Sequence, residues 1–133
     1  MIVPLLNDGR CIIQDRGLST TLAYQALDKT ILTINDILAL SGNHLALEYR
    51  PDHLIIVDVT VNNAFSRLNT RAKKDDAIFE KKSFMEKAAQ RFLSQEYKEI
   101  FENRGTKIHH LNGNSKIDIM KQEATELLKK ILQ

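Results

Sequence analysis

Asp15-Arg16-Gly17-Leu18-Ser19-Thr20-Thr21-Leu22-Ala23-Tyr24-Gln25 decides how this chain is read. The residues before it, Cys11-Ile12-Ile13-Gln14, are apolar or neutral and read as a short strand. An acid and a base follow, then a glycine break, then three hydroxyl residues that open a helix. A strand with this exit delivers polar side chains to the mouth of an α/β sheet, outside the carboxyl ends of the strands, where ligands bind. A carboxylate there can hold a metal-bound water, and a guanidinium can grip a phosphate through two parallel hydrogen bonds. The pattern points to phosphate chemistry.

Further out, two more β-branched-rich runs stand out, Leu54 to Val59 and Lys107 to His110 with Leu111. Each leads through a polar turn into a helical pattern, the alternation of an α/β fold with a parallel sheet and flanking helices. Thr20 to Leu27 and Ile31 to Leu40 read as short helices. Thr60 is placed to cap a helix from Val61 to Arg71 by accepting from a first-turn amide. One long helix is expected from about Ser83 to Phe101, with Phe84, Met85, Ala88, Ala89, Phe92, Leu93 and Ile100 on its apolar half, stopped by Asn103-Arg104-Gly105. Ser115 is expected to begin the last helix, with Asp118 three residues on and Ile117, Met120, Ala124, Leu127, Leu128 and Ile131 as its core stripe.

The 133 residues are 43% hydrophobic and 27% charged, ordinary for one globular domain. A net charge of +2, with bases interspersed among acids, does not indicate a nucleic-acid partner. No apolar run approaches the roughly 20 residues of a membrane span. The single cysteine, Cys11, cannot form an internal disulfide, which fits a reducing, cytoplasmic compartment.

Taken together these segments resemble the thymidylate kinases. The stretch from Asp15 to Gln25 is similar to that family's Asp-Arg, then Ser/Thr-x-x-Ala-Tyr-Gln signature. Pro4-Leu5-Leu6-Asn7-Asp8-Gly9 resembles the helix end before it, and Arg50-Pro51-Asp52 with the apolar run to Asp58-Val59 resembles its Arg-Pro-Asp strand. Arg67-x-x-x-Arg71 followed by Asp76-Ala77-Ile78-Phe79-Glu80 resembles its lid, here about residues 67–81. The resemblance runs through nearly the whole chain, in family order. It implies a P-loop nucleoside monophosphate kinase-like fold over 1–133, ATP-dependent phosphorylation of dTMP to dTDP, Mg2+ with ATP as co-substrate, and a homodimer.

Each residue also has a plainer reading. Asp15 and Arg16 can be charges where a strand leaves the core; the resemblance makes Arg16 the holder of the dTMP phosphate and Asp15 an organiser of magnesium through water. Thr20 and Thr21 can be a helix cap and its neighbour; the resemblance puts Thr21 at the thymine base and Gln25 near the same nucleotide. Tyr24 can be a core aromatic; the resemblance puts it under the deoxyribose, excluding a 2′-hydroxyl. Arg67, Arg71, Lys73 and Lys74 can be a solvated basic face; the resemblance makes Arg67 and Arg71 part of the ATP site, and Arg71, with Lys74 second, the cation that stabilises transition-state charge. His110-Leu111-Asn112-Gly113-Asn114-Ser115 can be an ordinary turn; the resemblance makes it the loop against which the ATP adenine rests, with Asn112, Gly113 and Asn114 at the site, recognised by backbone and not by side-chain identity. His109 and His110 are adjacent on a strand, point to opposite faces, and give no metal signal.

The chain also departs from the family. Gly17 stands where an aromatic or histidine is usual, Ala77 where the lid often has arginine, and Lys29 is the only base near a common Gly-Arg. None of the five glycines, Gly9, Gly17, Gly42, Gly105 and Gly113, begins the Gly-x-x-x-x-Gly-Lys-[Ser/Thr] loop that cradles donor phosphates. The chain is therefore expected to be the last two thirds of such a kinase, missing the central strand between Cys11–Gln14 and Leu54–Val59, and inactive alone. Two other readings stay open: a kinase for another deoxynucleotide, and a non-catalytic nucleotide- or partner-binding remnant.

Overall fold

Eight helices and two strands occur among the described residues of the computed structural model, which cover 2–28, 30–70 and 81–133. The backbone divides into two compact units, Met1–Arg50 and Pro51–Gln133.

The first unit is helical. Helix α1 spans Ile2–Asn7 and ends at Gly9, whose φ of 72° is the left-handed conformation that glycine adopts without a Cβ clash. Helix α2 spans Leu18–Gln25, α3 Ile34–Ala39 and α4 Ser41–Glu48. Leu22, Ala23 and Ala26 are fully buried, with Ile34, Ile37 and Leu47 closing the small core. Thr33 starts α3 with a capping box: its hydroxyl accepts from the Asp36 amide, and the Asp36 carboxylate accepts from the Thr33 amide at 2.8 Å. Asn43 donates to the Ile37 carbonyl at 2.8 Å and ties α4 to α3 across Leu40. The expected helix Ile31 to Leu40 is thus shorter than its pattern, and α4 follows at once.

The strand expected at Cys11 to Gln14 is not formed. These four residues carry no ladder hydrogen bonds, Cys11 is exposed, and Ile13 is 80% exposed. Apolar composition alone does not make a strand; the backbone groups also need a ladder partner, and these four residues have none among the described residues.

The second unit holds the sheet. Strand β1, His53–Asp58, pairs in parallel with β2, Lys107–Asn112, in the register His53↔Lys107 through Asp58↔Asn112. Among the described residues β1 and β2 form a two-stranded sheet. Between them run α5, Val61–Asn69, α6, Lys82–Leu93, and α7, Gln95–Glu102, while α8, Ile117–Ile131, follows β2. The core is Ile56, Ala88, Tyr97 and Phe101, with Phe92 edge-on to Tyr97 at 5.4 Å between centroids. Thr106, buried, donates to the Pro51 carbonyl at 2.8 Å and fixes the entry of β2 beside that of β1.

The single long helix expected from Ser83 to Phe101 is broken at Ser94. Ser94 has extended backbone (φ −69°, ψ 145°), and its hydroxyl accepts from the Tyr97 amide, capping α7. The turn aims Tyr97 and Phe101 inward, and Leu93, expected in the core, is 56% exposed. Arg91, almost fully buried at the corner, is neutralised by Glu96 at 2.8 Å. Helix α8 likewise departs from expectation: Lys116, not Ser115, holds the cap position, and it has no side-chain cap bond.

Candidate nucleotide site

Asp15 and Arg16 form a bend immediately before α2, with both side chains exposed. Arg16 has φ 62°, the one described non-glycine residue in the left-handed region. That conformation costs a non-glycine residue on the order of 1–3 kcal/mol and persists where surrounding structure holds it, most often at binding sites and turns. Among the described residues neither side chain makes a hydrogen bond or ion pair, so both the carboxylate and the guanidinium face solvent unneutralised.

Gly17 holds the cap position of α2 with extended backbone (φ 166°), and its carbonyl accepts from the Thr20 and Thr21 amides at 3.0 and 3.1 Å. It provides no side-chain cap. Thr20 is therefore a first-turn residue and not the cap. Thr21 turns its hydroxyl back to the Gly17 carbonyl at 3.3 Å. Tyr24 is half-buried and Gln25 exposed. Arg16, Thr20, Thr21, Tyr24 and Gln25 thus lie along one turn and the helix it opens, with Leu22 and Ala23 anchoring that helix from below.

In the second unit, the carboxyl ends of both parallel strands converge on a polar cluster built around Asn114. Its Oδ1 accepts from the Thr60 amide at 2.9 Å, the Thr60 hydroxyl at 3.1 Å and the Asn63 side-chain amide at 2.9 Å. The Asn114 amide donates to Asn112 Oδ1 at 3.0 Å. Thr60 in turn accepts from the Asn63 amide and caps α5, the role expected of it. Gly113 lets the loop lie on β1: its amide donates to the Asp58 carbonyl at 2.8 Å, and a Cβ there would overlap Val59 and reach Val57 Cγ1 at 2.7 Å. Beside this cluster Val59, Ala64, Arg67, Leu68 and Met85 line a mostly apolar cleft of about 240 Å³. Arg67 is exposed near the end of α5. Arg71 and Lys74 lie outside the described residues, as do Lys29, Ala77 and most of the expected lid.

Register also creates two pairs that residue order alone does not reveal. His110 Nδ1 lies 2.7 Å from Asp58 Oδ2 on one face, and His53 Nδ1 lies 2.9 Å from His109 Nε2 on the other. His109 and His110 do point to opposite faces, and each finds its partner on β1. Burial, and then the neighbouring His53, Lys107 and His110, hold the His109 imidazole below its ordinary pKa. The signal for these pairs was the spacing of His53 and Asp58 against His109 and His110, which becomes readable only once strand register is known. Among the described residues no three histidine, cysteine or carboxylate groups converge on a metal position.

The family profile described as thymidylate kinase matches residues 1–124. A thymidylate kinase of Geobacter sulfurreducens is 31% identical over 100 residues, covering 71% of this chain and 46% of its own length. That of Clostridium novyi is 24% identical over 131 residues, covering 96% of this chain and 60% of its own, and a probable thymidylate kinase of Methanoculleus marisnigri is 28% identical over 94 residues, covering 71% and 45%. No solved structure matches the chain. The chain spans about half the length of the curated relatives it matches. With a family profile covering 1–124, the chain belongs to the thymidylate kinase family.

Proposed function

We propose that this chain is the acceptor-binding and adenine-binding portion of a cytosolic, homodimeric kinase that transfers the ATP γ-phosphoryl group to dTMP. The observation that carries the reading is the exposed Asp15-Arg16 turn, with Arg16 held at φ 62° ahead of a helix bearing Thr20, Thr21, Tyr24 and Gln25. An exposed guanidinium without a carboxylate partner among the described residues is suited to a phosphate monoester. Thr21 and Gln25 would meet the thymine, and Tyr24 would close the space of a 2′-hydroxyl. The Asn112-Gly113-Asn114 loop would support adenine, with Arg67 and Arg71 toward the donor phosphates and Lys74 beside them. Catalysis would consist of positioning and charge stabilisation.

Asp15 fits magnesium as a water-mediated ligand: it is a solvent-facing carboxylate without a competing cation among the described residues. Mg2+ commonly takes only one or two carboxylates and completes its shell with water and phosphate oxygens. When bound, the ion would neutralise phosphate charge.

The 133 residues contain no Gly-x-x-x-x-Gly-Lys-[Ser/Thr] loop, so the donor cradle and the strand leading to it would come from outside them. By themselves, with ATP, dTMP and Mg2+, they are expected to form no dTDP above background. A protein supplying that loop together with these residues is expected to make dTDP and to prefer dTMP over other nucleoside monophosphates. Turnover by the 133 residues alone would overturn the first expectation, and preference for another deoxynucleotide the second. A second reading is a nucleotide-binding module without catalysis; dTMP binding without phosphoryl transfer, even once the loop is supplied, would establish it.

A further inference from the structure

Asp58 and His110 form a dyad at the carboxyl end of the sheet whose side chains the kinase reading does not use. Asp58 is the last residue of β1, and His110 lies two residues before the end of β2. Alternation along the strands puts Asp58, His110 and Asn112 on one face. The dyad therefore adjoins the cluster in which Asn114 bonds to Asn112, to Thr60 and to Asn63. The side chains are 41% and 35% exposed, so neither is sealed in the core.

The hydrogen bond fixes what His110 can recognise. An ionised carboxylate only accepts, so the 2.7 Å contact requires Nδ1 to carry the proton. In the neutral imidazole Nε2 is then a lone-pair acceptor, and nothing among the described residues donates to it. The Asn114 side-chain amide at the same end of the sheet is taken up by its neighbours: its Oδ1 accepts from Thr60 and Asn63, and its Nδ2 donates to Asn112 Oδ1 at 3.2 Å. His110 Nε2 is thus an oriented, accessible acceptor next to the loop assigned to the purine.

We propose that His110, oriented by Asp58, is a specificity-determining residue that accepts a hydrogen bond from the exocyclic amine of an aminopurine and so selects adenine over an oxopurine. This rests on the reading of Asn112–Asn114 as the purine loop. An oxopurine presents a carbonyl where adenine presents N–H, which sets two acceptors against each other, and an unpaired polar contact costs more than a made one contributes. Asp58 acts as the positioning residue: it sets the tautomer.

The test uses the full 133-residue chain, labelled with ¹⁵N-histidine, and NMR titrations with adenosine and inosine at pH 8, ligands that differ in the amine and the oxo group. The expected result is that adenosine moves the His110 Nε2 resonance and the Asn112–Asn114 amides together, while inosine moves His110 little. His110→Ala should weaken adenosine binding roughly tenfold and leave inosine unchanged, and Asp58→Asn should reduce the adenosine preference while preserving the amide shifts. If adenosine moves the loop amides but not His110 Nε2, or if the two nucleosides bind equally, the inference about His110 is overturned and the purine loop stands. If neither nucleoside moves the loop amides, the purine-loop reading itself fails, and the inference with it.

Discussion

His53 and His109 share an in-line hydrogen bond across the two strands. The Nδ1 of His53 is 2.9 Å from the Nε2 of His109, the ring planes are 16° apart, and the centroid separation of 5.2 Å is just filled by the two rings and the bond between them. One of the two nitrogens must therefore be protonated and the other not. A proton added to each ring removes the acceptor and sets two cations side by side, next to Lys107.

The first prediction follows from that relationship. Burial, His53, Lys107 and His110 together lower the His109 pKa, so the folded chain binds fewer protons there than the unfolded chain. This contribution is fully present above the unfolded imidazole value of about 6.5 and is lost as pH falls below it. The charged groups of α7 and α8, which pack near β2, make no hydrogen bond to either imidazole among the described contacts. Urea midpoints measured at pH 8 and pH 5.5 should fall with acidification, and His109→Gln should flatten the fall. A midpoint independent of pH over this window would refute it. Asp36, whose pKa is lowered by the Thr33 side-chain and backbone hydrogen bonds, acts in a separate, more acidic window, where its contribution is lost as pH falls through its folded value.

Gly113→Ala is expected to destabilise the second unit by about 1–3 kcal/mol, because the new methyl group meets Val57, Val59 and the Asp58 carbonyl where the loop crosses β1. The affected atoms are β-branched side chains and backbone on a paired strand, with little freedom to withdraw. Denaturant unfolding measures the loss. A contrasting variant is Gly17→His: its extended φ suits any residue, and the nearest atom is the flexible amide end of Gln14 at 3.1 Å, so the change should cost far less.

Several features were legible in the sequence for definite physical reasons. The runs at Leu54–Val59 and Lys107–Leu111 are β-branched and bounded by turns, and they form the two strands within a residue or two. Thr60 and Gly105 act where their chemistry places them. What could not be read depended on partners. Cys11–Gln14 has the composition of a strand but no paired edge, and the Asp58–His110 and His53–His109 pairs need a register that no local pattern specifies. The corner at Ser94 had a local signal, a serine followed two residues later by Glu96, but the apolar periodicity through Phe92 and Leu93 continued across it and suggested one helix. At the turn before α2, the order Asp15-Arg16-Gly17 was legible, whereas the left-handed backbone of Arg16 was not, since arginine has no preference for it.

Ser94→Ala should cost about 1 kcal/mol, the usual worth of a helix N-cap. It removes the acceptor for the Tyr97 amide and the hydroxyl that donates to the Arg91 carbonyl at 2.8 Å. Because Tyr97 and Phe101 are the largest fully buried side chains, loosening the start of α7 should also reduce protection of the α7 amides in hydrogen exchange. Unchanged exchange in α7 would show that packing of Tyr97 and Phe101 alone holds the corner.

Arg16 allows its backbone and its charge to be tested separately, in the loop-bearing protein. On the proposed reading Arg16→Ala would remove a charge-assisted phosphate contact, and it is expected to lower kcat/KM for dTMP by at least ~2 kcal/mol, roughly thirtyfold. Arg16→Gly removes the same contact but also relieves the left-handed backbone at φ 62°, worth about 1 kcal/mol, so it should be the more stable of the two variants while being equally impaired. Arg16→Lys keeps the charge but loses the planar fork, and should recover only part of the activity. Tyr24→Ala, which on the same reading would open the space of a 2′-hydroxyl, should instead raise the activity on the ribonucleotide relative to the deoxynucleotide. Steady-state kinetics on both nucleotides, with unfolding midpoints for each variant, distinguishes a lost contact from a damaged turn. If Arg16→Gly were more stable and fully active on dTMP, the turn would be a structural bend, and the phosphate would have to be held elsewhere.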